Sequence, residues 1–473
     1  MRAISRRELL RFVGIGMGAA VLAGCAGAPT AAPAATEAPK VEEKPTEAPA
    51  ATAAPPKTGE KARLVAVDTG DGEALRRTFK PFLEQHPDIE IEVIGVAWEG
   101  FDEKVDLLIA GGDAPAIWRP GAKRGYRYYA DKGLFPDIGP WIERDNLDVS
   151  DFYETVYDFV KWEGKQRGFP AAHYLSSMYY NKTLFESAGV PLPPSSWDDE
   201  SWTWDAFLEA VNAITQRSDD PLKTVWGCGR CYCDRRHLAW VFGGDYFPKE
   251  GYVTGKPTTT TVNTPEVIDG FQFAQDLIYK HQVQPTPAEG QIISAAGIDL
   301  FLSGKVGILH NANWAFNTYG EIEEFEWSIA PIPGGRYARK ELLYPDQWMM
   351  FKDQKYPDAA WEALKYVASP DGLRIYYLGT DKLGGIPSRK SLAAEWTDAA
   401  VKATKLDASV LDSVINKGIE VAGQVTASHA IIKFAEIHDV AIAPNLDNLF
   451  LNKISGKEAA ALMEPKILEI LRA

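Results

Sequence analysis

This 473-residue chain has only four cysteines, no long apolar run and a shortage of positive charge. The last two features exclude classes of partner and of structure. The formal net charge of −15 at pH 7 opposes nucleic acids and anionic lipid surfaces as partners, because such partners need clustered positive charge. The apolar run at residues 12–24 has 13 residues, four of them glycine, whereas a membrane span takes about 20 apolar residues. The sequence therefore predicts no transmembrane helix.

The chain also lacks the short motifs of several enzyme classes. It has no G-x-S-x-G for a serine nucleophile, no H-E-x-x-H for zinc and no G-x-x-x-x-G-K-[ST] for phosphates. Its carboxylates are too numerous for their spacing to exclude a glycosidase, which stays a minor alternative. The sequence predicts a protein that is not an enzyme and that needs no cofactor and no resident metal ion.

Residues 1–24 have the pattern of an export signal. Arg6 and Arg7 precede the short apolar run, and small residues lead up to Cys25. The paired arginines resemble the twin-arginine signal, with the general export route as the alternative. Residues 22–25 resemble a lipobox, in which the Cys25 thiol is acylated after cleavage. We expect an exported protein held by lipid at the outer face of the cell membrane or in the periplasm; the alternative is a simple signal peptide with an incidental cysteine.

Residues 25–62 form a segment that is rich in alanine and proline and contains no aromatic residue. Such a composition buries too little apolar surface to offset the entropy of ordering, so the sequence predicts disorder. Repeated prolines favour extended conformations of up to about 3.1 Å per residue. We expect a spacer between a lipidated Cys25 and a folded body.

The body from residue 63 onward, about 410 residues, is too long for one ordinary core and predicts two lobes. Residues 63–67 indicate a strand, an apolar pattern of helical spacing follows, and residues 89–93 alternate as a second strand. Strand, helix and strand in about 35 residues form a parallel βαβ unit. The loops at Asp68 and Asp113 would open at the carboxyl ends of strands, where open α/β sheets bind ligands.

Three of the four cysteines, Cys228, Cys231 and Cys233, lie together in the motif CGRCYCD. An exported protein can form disulfides, so we expect one local disulfide, although three thiols leave its connectivity open. With His237 four residues further on, the same group could close around Zn²⁺, which takes four sulfur or nitrogen ligands. Free or buried thiols are the remaining alternative.

Ten short segments of the body occur in an order that is known from one protein family. They are FKPFLEQHPDIEIEV, GGDAPAIW, YADKGLFPDIGPWI, RGFPAAHYLSSMYYNKTLFESAGVPLPPSSW, TWDAFLEA, FGGDYF, LFLSGKVGILHNANWAF, WSIAPIPGG, DAAWEALKYVASPDG and GGIPSRKS. In this order, behind a lipobox, they resemble the bacterial extracellular solute-binding proteins of family 1, the sugar-binding receptors of ABC importers. The similarity extends over about residues 64–391.

The resemblance implies an α/β fold of the type II periplasmic-binding-protein kind, in which two lobes close on a ligand like a hinge. Each lobe is expected to hold a mixed sheet flanked by helices, with crossover strands and a ligand cleft between the lobes. The predicted parts are lobe 1 at residues 63–171 and 346–390, lobe 2 at residues 172–345 and 391–473, and crossovers near residues 171–174, 343–349 and 386–391.

The same resemblance implies a receptor that captures a small-molecule solute, a sugar or an oligosaccharide, and delivers it to the permease subunits of an ABC importer. We expect a monomer. Two other solute classes stay open. Polyamines are favoured by the acidity of the chain, and Fe³⁺ is suggested by Tyr179 and Tyr180, which resemble the adjacent tyrosines of ferric-ion binders. The same two tyrosines also match the plain strand pattern of the family.

Sugar chemistry and the resemblance together select the predicted site residues. Sugars present hydroxyls to polar side chains and C–H faces to aromatic rings. Trp314 stands where the family places a stacking residue, with Asn311 and Asn313 beside it; the alternative is a tryptophan packed between helices. The alternative is a helix cap or turn for Asp68, a turn-forming role for Asp113, a core position for Trp98 and a buried position for His173. The other predicted contacts are Asp68, Thr69, Trp98, Asp113, His173, Tyr174, Asp245, Gln347, Trp348, Gly384 and Gly385.

Overall fold

The computed structural model describes residues 60–120, 124–334, 338–380 and 382–473, without the side chain of Arg236. The predictions for the export signal at residues 1–24, for Cys25 and for the spacer as far as residue 59 lie outside the described residues. The first strand begins at Ala62, which the sequence assigned to the spacer.

Eleven strands and twenty α-helices make up the described chain. The strands are β1 (Ala62–Thr69), β2 (Ile89–Val96), β3 (Lys161–Trp162), β4 (Lys165–Gln166), β5 (Gly168–Asn181), β6 (Trp226–Cys228), β7 (Val306–Ala312), β8 (Trp327–Ala330), β9 (Glu341–Met349), β10 (Ile386–Pro387) and β11 (Gly423–Val425). The helices are α1 (Glu73–Gln85), α2 (Phe101–Gly111), α3 (Gly125–Asp131), α4 (Gly139–Arg144), α5 (Glu154–Phe159), α6 (Lys182–Ser187), α7 (Trp204–Ile214), α8 (Lys249–Thr254), α9 (Pro265–Tyr279), α10 (Pro287–Ala295), α11 (Phe316–Tyr319), α12 (Pro357–Val367), α13 (Pro370–Leu378), α14 (Ala393–Thr404), α15 (Ala408–Leu411), α16 (Lys417–Val421), α17 (Ala427–Ala430), α18 (Phe434–Ile437), α19 (Ala443–Phe450) and α20 (Gly456–Arg472).

Lobe 1 is built on the predicted βαβ unit. β1 and β2 pair in parallel along their whole length, and α1 connects them. The sheet extends through Ile117, which bridges Ala66 of β1 in parallel, and through Trp118, which bridges Met349 of β9 in antiparallel fashion. The residues that follow β1 and Trp118 therefore emerge at the same edge of the sheet, the carboxyl end at which open sheets bind ligands.

Two long strands run from one lobe into the other. The first part of β5 pairs with the end of β9, with Phe169 opposite Trp348, and its last part pairs with β7 and β8 of lobe 2. The short strand β10 adds to the middle of β5, where Ile386 lies opposite His173. β6 and β11 complete this larger sheet. The strands β5, β9 and β10 occupy the three positions at which the sequence predicted crossovers.

Each lobe has its own apolar core. Phe79, Phe82, Trp348 and Trp361 are buried in lobe 1. Phe207, Phe271 and many helical side chains of the C-terminal segment are buried in lobe 2. The two-lobe α/β fold predicted from the sequence is confirmed, while the exact lobe boundaries stay a prediction. Within the described ranges, no helix combines the length and the apolar character that crossing a bilayer requires.

Candidate functional site

The middle of the crossover strands presents one polar face to the space between the lobes. Successive side chains of a strand point to opposite faces, so Tyr344 and Asp346 of β9 share a face. The register places Tyr344 opposite Tyr174 of β5, and Asp346 opposite Ala172. We call the site formed by Thr69, Arg119, Tyr174, Trp314, Tyr344 and Asp346 the hinge cleft.

Arg119 connects lobe 1 to the crossover strand β9. It directly follows the buried segment at residues 116–118, and its side chain is only 10% exposed. Nη2 donates to Oδ1 of Asp68 at 3.2 Å and to Oγ1 of Thr69 at 3.0 Å. Nη1 donates to Oδ2 of Asp346 at 2.5 Å. One cation is thus shared by two carboxylates that lie far apart in the sequence.

Aromatic rings enclose this charged group. The guanidinium carbon of Arg119 lies 5.2 Å from the ring centroids of both Trp348 and Tyr376, and the Tyr376 hydroxyl donates to Oδ1 of Asp68 at 2.7 Å. Burial raises the pKa of Asp346 above its ordinary value, and Asp68 adds to this effect while Arg119 opposes it. The cluster of Arg119, Asp68 and Asp346 thus contains two carboxylates and one guanidinium.

Trp314 provides the aromatic wall of the hinge cleft. It lies on a single helical turn at Asn313–Ala315, directly after β7, and is 43% exposed. Its ring centroid lies 6.0 Å from that of Tyr174 and 5.5 Å from that of Tyr344. Its indole N–H donates to Oδ1 of Asn311 at 2.9 Å. The ring is therefore held in one orientation with part of its surface open to solvent.

The two asparagines beside Trp314 are buried, and their side-chain oxygens accept hydrogen bonds from neighbouring residues of the protein. Asn311 accepts from the indole of Trp314 and from the amide of Ala312. Asn313 accepts from the amide of Leu175 on β5 at 2.9 Å, and its Nδ2 makes no hydrogen bond to any described residue. Nδ2 of Asn313 is thus the one asparagine donor here that lacks a partner in the described part of the chain.

Several predicted residues lie at the edge of this site or beneath it. His173 is fully buried on the opposite face of β5, edge-on to Tyr153, and neither ring nitrogen has a hydrogen-bond partner in the described chain. Gln347 is buried and donates to the carbonyl of Pro120 at 2.6 Å. Trp348 is buried beneath Arg119.

The remaining predicted contacts have distinct environments. Trp98 is 53% exposed, and Asp113 lies exposed after α2. A Cβ on Gly385 would lie 2.6 Å from the Tyr174 ring, and one on Gly384 would lie 2.7 Å from the Tyr377 ring. These two glycines are therefore needed for the close approach of their loop to the tyrosines. Asp245 lies in a different depression of the surface, where it accepts from Lys340 and Gln424.

Cys228 and Cys231 are free thiols and fully buried, so the structure does not contain the expected local disulfide among the three cysteines. Burial raises the pKa of the Cys231 thiol to about 12, which disfavours the thiolate. Tyr179, considered for Fe³⁺, donates its hydroxyl to the carbonyl of Ala312 at 2.8 Å. Among the described residues no group of three or more His, Cys, Asp or Glu side chains is arranged to hold a metal ion.

The sequence reasoning missed Arg119, Tyr344, Asp346 and Tyr376. A signal existed for Arg119, because a charged residue directly after the apolar segment AIW stands at the carboxyl end of a strand. Tyr344 and Asp346 alternate along a predicted crossover, where the prediction named the next two residues instead. Nothing local distinguishes Tyr376, because it reaches Asp68 from a helix 308 residues further along the chain.

Two α/β lobes that are joined by crossover strands and enclose a polar and aromatic cleft define the hinged class of ligand-binding proteins. The chain belongs to the bacterial extracellular solute-binding protein family, whose model matches residues 66–373. A binding protein of Brucella abortus (strain 2308) is 25% identical over 305 residues, which are 63% of this chain and 69% of that protein.

Two further comparisons extend this result. An arabinooligosaccharide-binding protein of Halalkalibacterium halodurans is 26% identical over 211 residues, 44% of this chain and 43% of that protein. An ABC substrate-binding protein of Listeria monocytogenes, solved in complex with cycloalternan, is 21% identical, with a TM-score of 0.69. The match covers 87% of this chain and all of that chain. The structural likeness shows the fold, and the family shows a solute-binding receptor with an extracytoplasmic role.

Proposed function

We propose that this protein binds a sugar or an oligosaccharide in the hinge cleft. The observation that carries the proposal is the fixed, half-exposed ring of Trp314, which packs against Tyr174 and Tyr344. Sugar rings offer apolar C–H faces to such a surface. The Asp346 carboxylate, which Arg119 holds in place, supplies an acceptor for hydroxyl groups.

The relatives support the same class of ligand. One is named for arabinooligosaccharides, and a structural neighbour was solved with cycloalternan. We propose that ligand contacts with both lobes favour a closed conformation, since a ligand shifts a population toward the state that it binds more tightly. A closed, loaded receptor would then deliver its sugar to the permease of an ABC importer.

A panel of mono- and oligosaccharides, screened by thermal unfolding, tests the carbohydrate assignment. A ligand present at 100 times its Kd should stabilise the folded state by about 2.7 kcal/mol and raise the melting temperature. The panel should include spermidine and Fe³⁺ as the alternative solutes. If no sugar raises the melting temperature while a polyamine or metal ion does, the assignment is wrong.

We also propose that the protein is exported and anchored by lipid on Cys25, with residues 26–59 as the spacer to the folded body. The sequence pattern before Cys25 supports this proposal, and the extracytoplasmic role of the family agrees with it. In a bacterial host, the wild type should incorporate labelled palmitate and sediment with membranes. The Cys25→Ala variant should lose the label and the membrane association; a variant that keeps both would contradict lipidation at Cys25.

A further inference from the structure

A groove of about 1400 Å³ lies apart from the hinge cleft and shares none of its residues. We call it the lateral groove. On the lobe 1 side it is lined by Arg127 of α3, Phe159 and Trp162, and on the lobe 2 side by residues that include Asp245, Tyr252 and Gln424. The segment at Ala427–Ala430 separates the two sites, because His429 packs against Tyr344 while the carbonyl of Ala430 faces Arg127.

Arg127 is a buried cation without a carboxylate partner among the described residues. Its side chain is 7% exposed. The acceptors of its hydrogen bonds are the backbone carbonyls of Tyr252, Val253 and Ala430. Burial lowers the pKa of Arg127 to about 10, and Tyr126 opposes this shift. Buried charges are ordinarily paired, because an uncompensated charge is costly to remove from water.

One nitrogen of this guanidinium is unused. All its hydrogen bonds to described residues leave from Nη1. Nε is enclosed by the protein and cannot reach a ligand, whereas Nη2 is not enclosed and donates to no described residue. The two N–H groups of Nη2 are therefore the donors that a carboxylate or phosphate in the groove can reach. The rings of Phe159 and Trp162, with centroids 5.2 and 5.5 Å from the guanidinium carbon, hold the plane in position.

Five further cations line the groove and are all more exposed than Arg127, so burial distinguishes Arg127 among the described cations there; they are Lys161, Lys249, Lys256, Arg339 and Lys340. Asp245 is satisfied by Lys340 at 3.2 Å, by Gln424 at 2.6 Å and by the Tyr252 hydroxyl. Asp158 is paired with Lys161 at 2.6 Å.

Three further carboxylates line the groove, Glu163, Glu266 and Glu420, and two of them, Glu163 and Glu420, are exposed to solvent. Val253 and Val421, which also line the groove, are 70% and 53% exposed. An apolar body attached to the anion would cover them.

We propose that the lateral groove is a second binding site, for a small organic anion whose carboxylate or phosphate is held by Nη2 of Arg127. The apolar part of the ligand lies against Val253 and Val421. The site is independent of the sugar assignment for the hinge cleft, because the two share no residue.

Calorimetric titration with two probes tests this site: hexanoate, which joins a carboxylate to an apolar chain, and inorganic phosphate. We expect at least one probe to bind the wild-type protein with a Kd on the order of 1 mM or below. Binding of hexanoate alone identifies a carboxylate ligand, and binding of phosphate alone identifies a phosphate ligand. If neither probe binds at 10 times that concentration, the proposal is wrong.

Variants of Arg127 connect the binding to its guanidinium. Arg127→Lys keeps the charge but loses the planar guanidinium that places Nη2 at the groove, and Arg127→Met removes both, so each should weaken binding at least tenfold. Arg217→Met is the matched control, because Arg217 also lies over a tryptophan, Trp226 at 4.5 Å, but has a carboxylate partner in Glu289. Unchanged binding in both Arg127 variants, or an equal loss in the control, would overturn the proposal.

Circular dichroism of each variant verifies that it is folded, and a sugar titration of the same samples separates the two proposals. If a variant loses anion binding but still binds sugar, the lost site is the lateral groove and the sugar proposal is unaffected. If no sugar binds to a protein that binds hexanoate or phosphate, the sugar proposal for the hinge cleft is wrong and the anion proposal is unaffected.

Discussion

The hinge cleft and the lateral groove each contain a buried arginine from the same stretch of lobe 1, and the two are compensated in different ways. Arg119 is held by Asp68 and Asp346, and its guanidinium lies over two aromatic rings. Arg127 also lies over two rings, yet its acceptors in the described chain are backbone carbonyls. The first charge is neutralised within the protein, with a carboxylate in excess, and the second is not.

This difference predicts which ligands each site excludes. An anion in the hinge cleft would meet Asp346 beside a guanidinium whose two Nη atoms are already engaged, so the cleft favours neutral or cationic solutes. An anion in the lateral groove would meet Nη2 of Arg127, which donates to no described residue. A protein with a net charge of −15 thus presents two sites of opposite preference.

The largest expected effect comes from removing the compensated arginine. Arg119→Met leaves Asp68 and Asp346 buried without their shared cation, so we expect the free energy of unfolding to fall by about 3–5 kcal/mol. Urea unfolding measures this loss. Arg144→Met is the control, because Arg144 is half exposed and pairs with Asp145 and Asp358 at the surface, where an ion pair contributes about 0–1 kcal/mol. Equal losses in the two variants would contradict the comparison.

The next effect concerns sugar binding in the hinge cleft. Trp314→Ala removes the stacking ring, which should cost about 2–3 kcal/mol of binding free energy, or roughly 30- to 150-fold in Kd. Trp314→Phe keeps a flat ring but loses the N–H that Asn311 holds, so its loss should be smaller. Calorimetry with the sugar identified by the panel measures both. If a folded Trp314→Ala protein binds the sugar with wild-type affinity, Trp314 is not part of the binding site.

The fold could be predicted from the sequence because its signals are local or sequential. The alternation in β1 and β2 with a helix between them predicts the βαβ unit, and ten family segments in order predict two lobes. The position of Trp314 followed from the resemblance. The sequence also selected Asp68, although the structure gives it a supporting role, since Oδ1 receives Arg119 and Tyr376 while Oδ2 is buried without a partner among the described residues.

The charge partners could not be predicted, because tertiary contacts decide them. Arg119 meets Asp68 across 51 residues and Asp346 across 227 residues of sequence. Arg127, in the helical sequence YRYYA, looks like an ordinary exposed charge until the fold places it under lobe 2. These arginines can serve in binding sites because they are buried. A single sequence does not show which of its charged residues the fold will bury.

His173 extends the comparison to the crossover strand β5, where a buried group has no hydrogen-bond partner in the described chain. Burial lowers its pKa to about 3, below its ordinary value near 6.5. The unfolded chain therefore binds a proton at this imidazole that the folded protein does not bind. The free energy of unfolding has its full value above pH 6.5 and decreases as the pH falls toward 3, by about 2 kcal/mol at pH 5.

His173→Phe keeps the ring against Tyr153 and removes the titrating group. The difference in unfolding free energy between pH 7 and pH 5 should therefore shrink by about 2 kcal/mol relative to wild type. Urea unfolding at the two pH values measures this difference. An unchanged pH dependence in the variant would assign the acid sensitivity to other groups.

The smallest expected effect is the loss of stability on replacing the uncompensated arginine. Arg127→Met loses hydrogen bonds from a charged donor, which contribute about 1.5–3 kcal/mol, but it also relieves the burial of an unpaired charge. The new side chain can pack against Phe159 and Trp162. Because these terms oppose each other, we expect a net loss below about 1 kcal/mol in urea unfolding. A loss as large as that of Arg119→Met would mean that Arg127 chiefly connects the lobes. A small loss would mean that folding does not require this buried charge, as expected if its guanidinium is kept for a ligand.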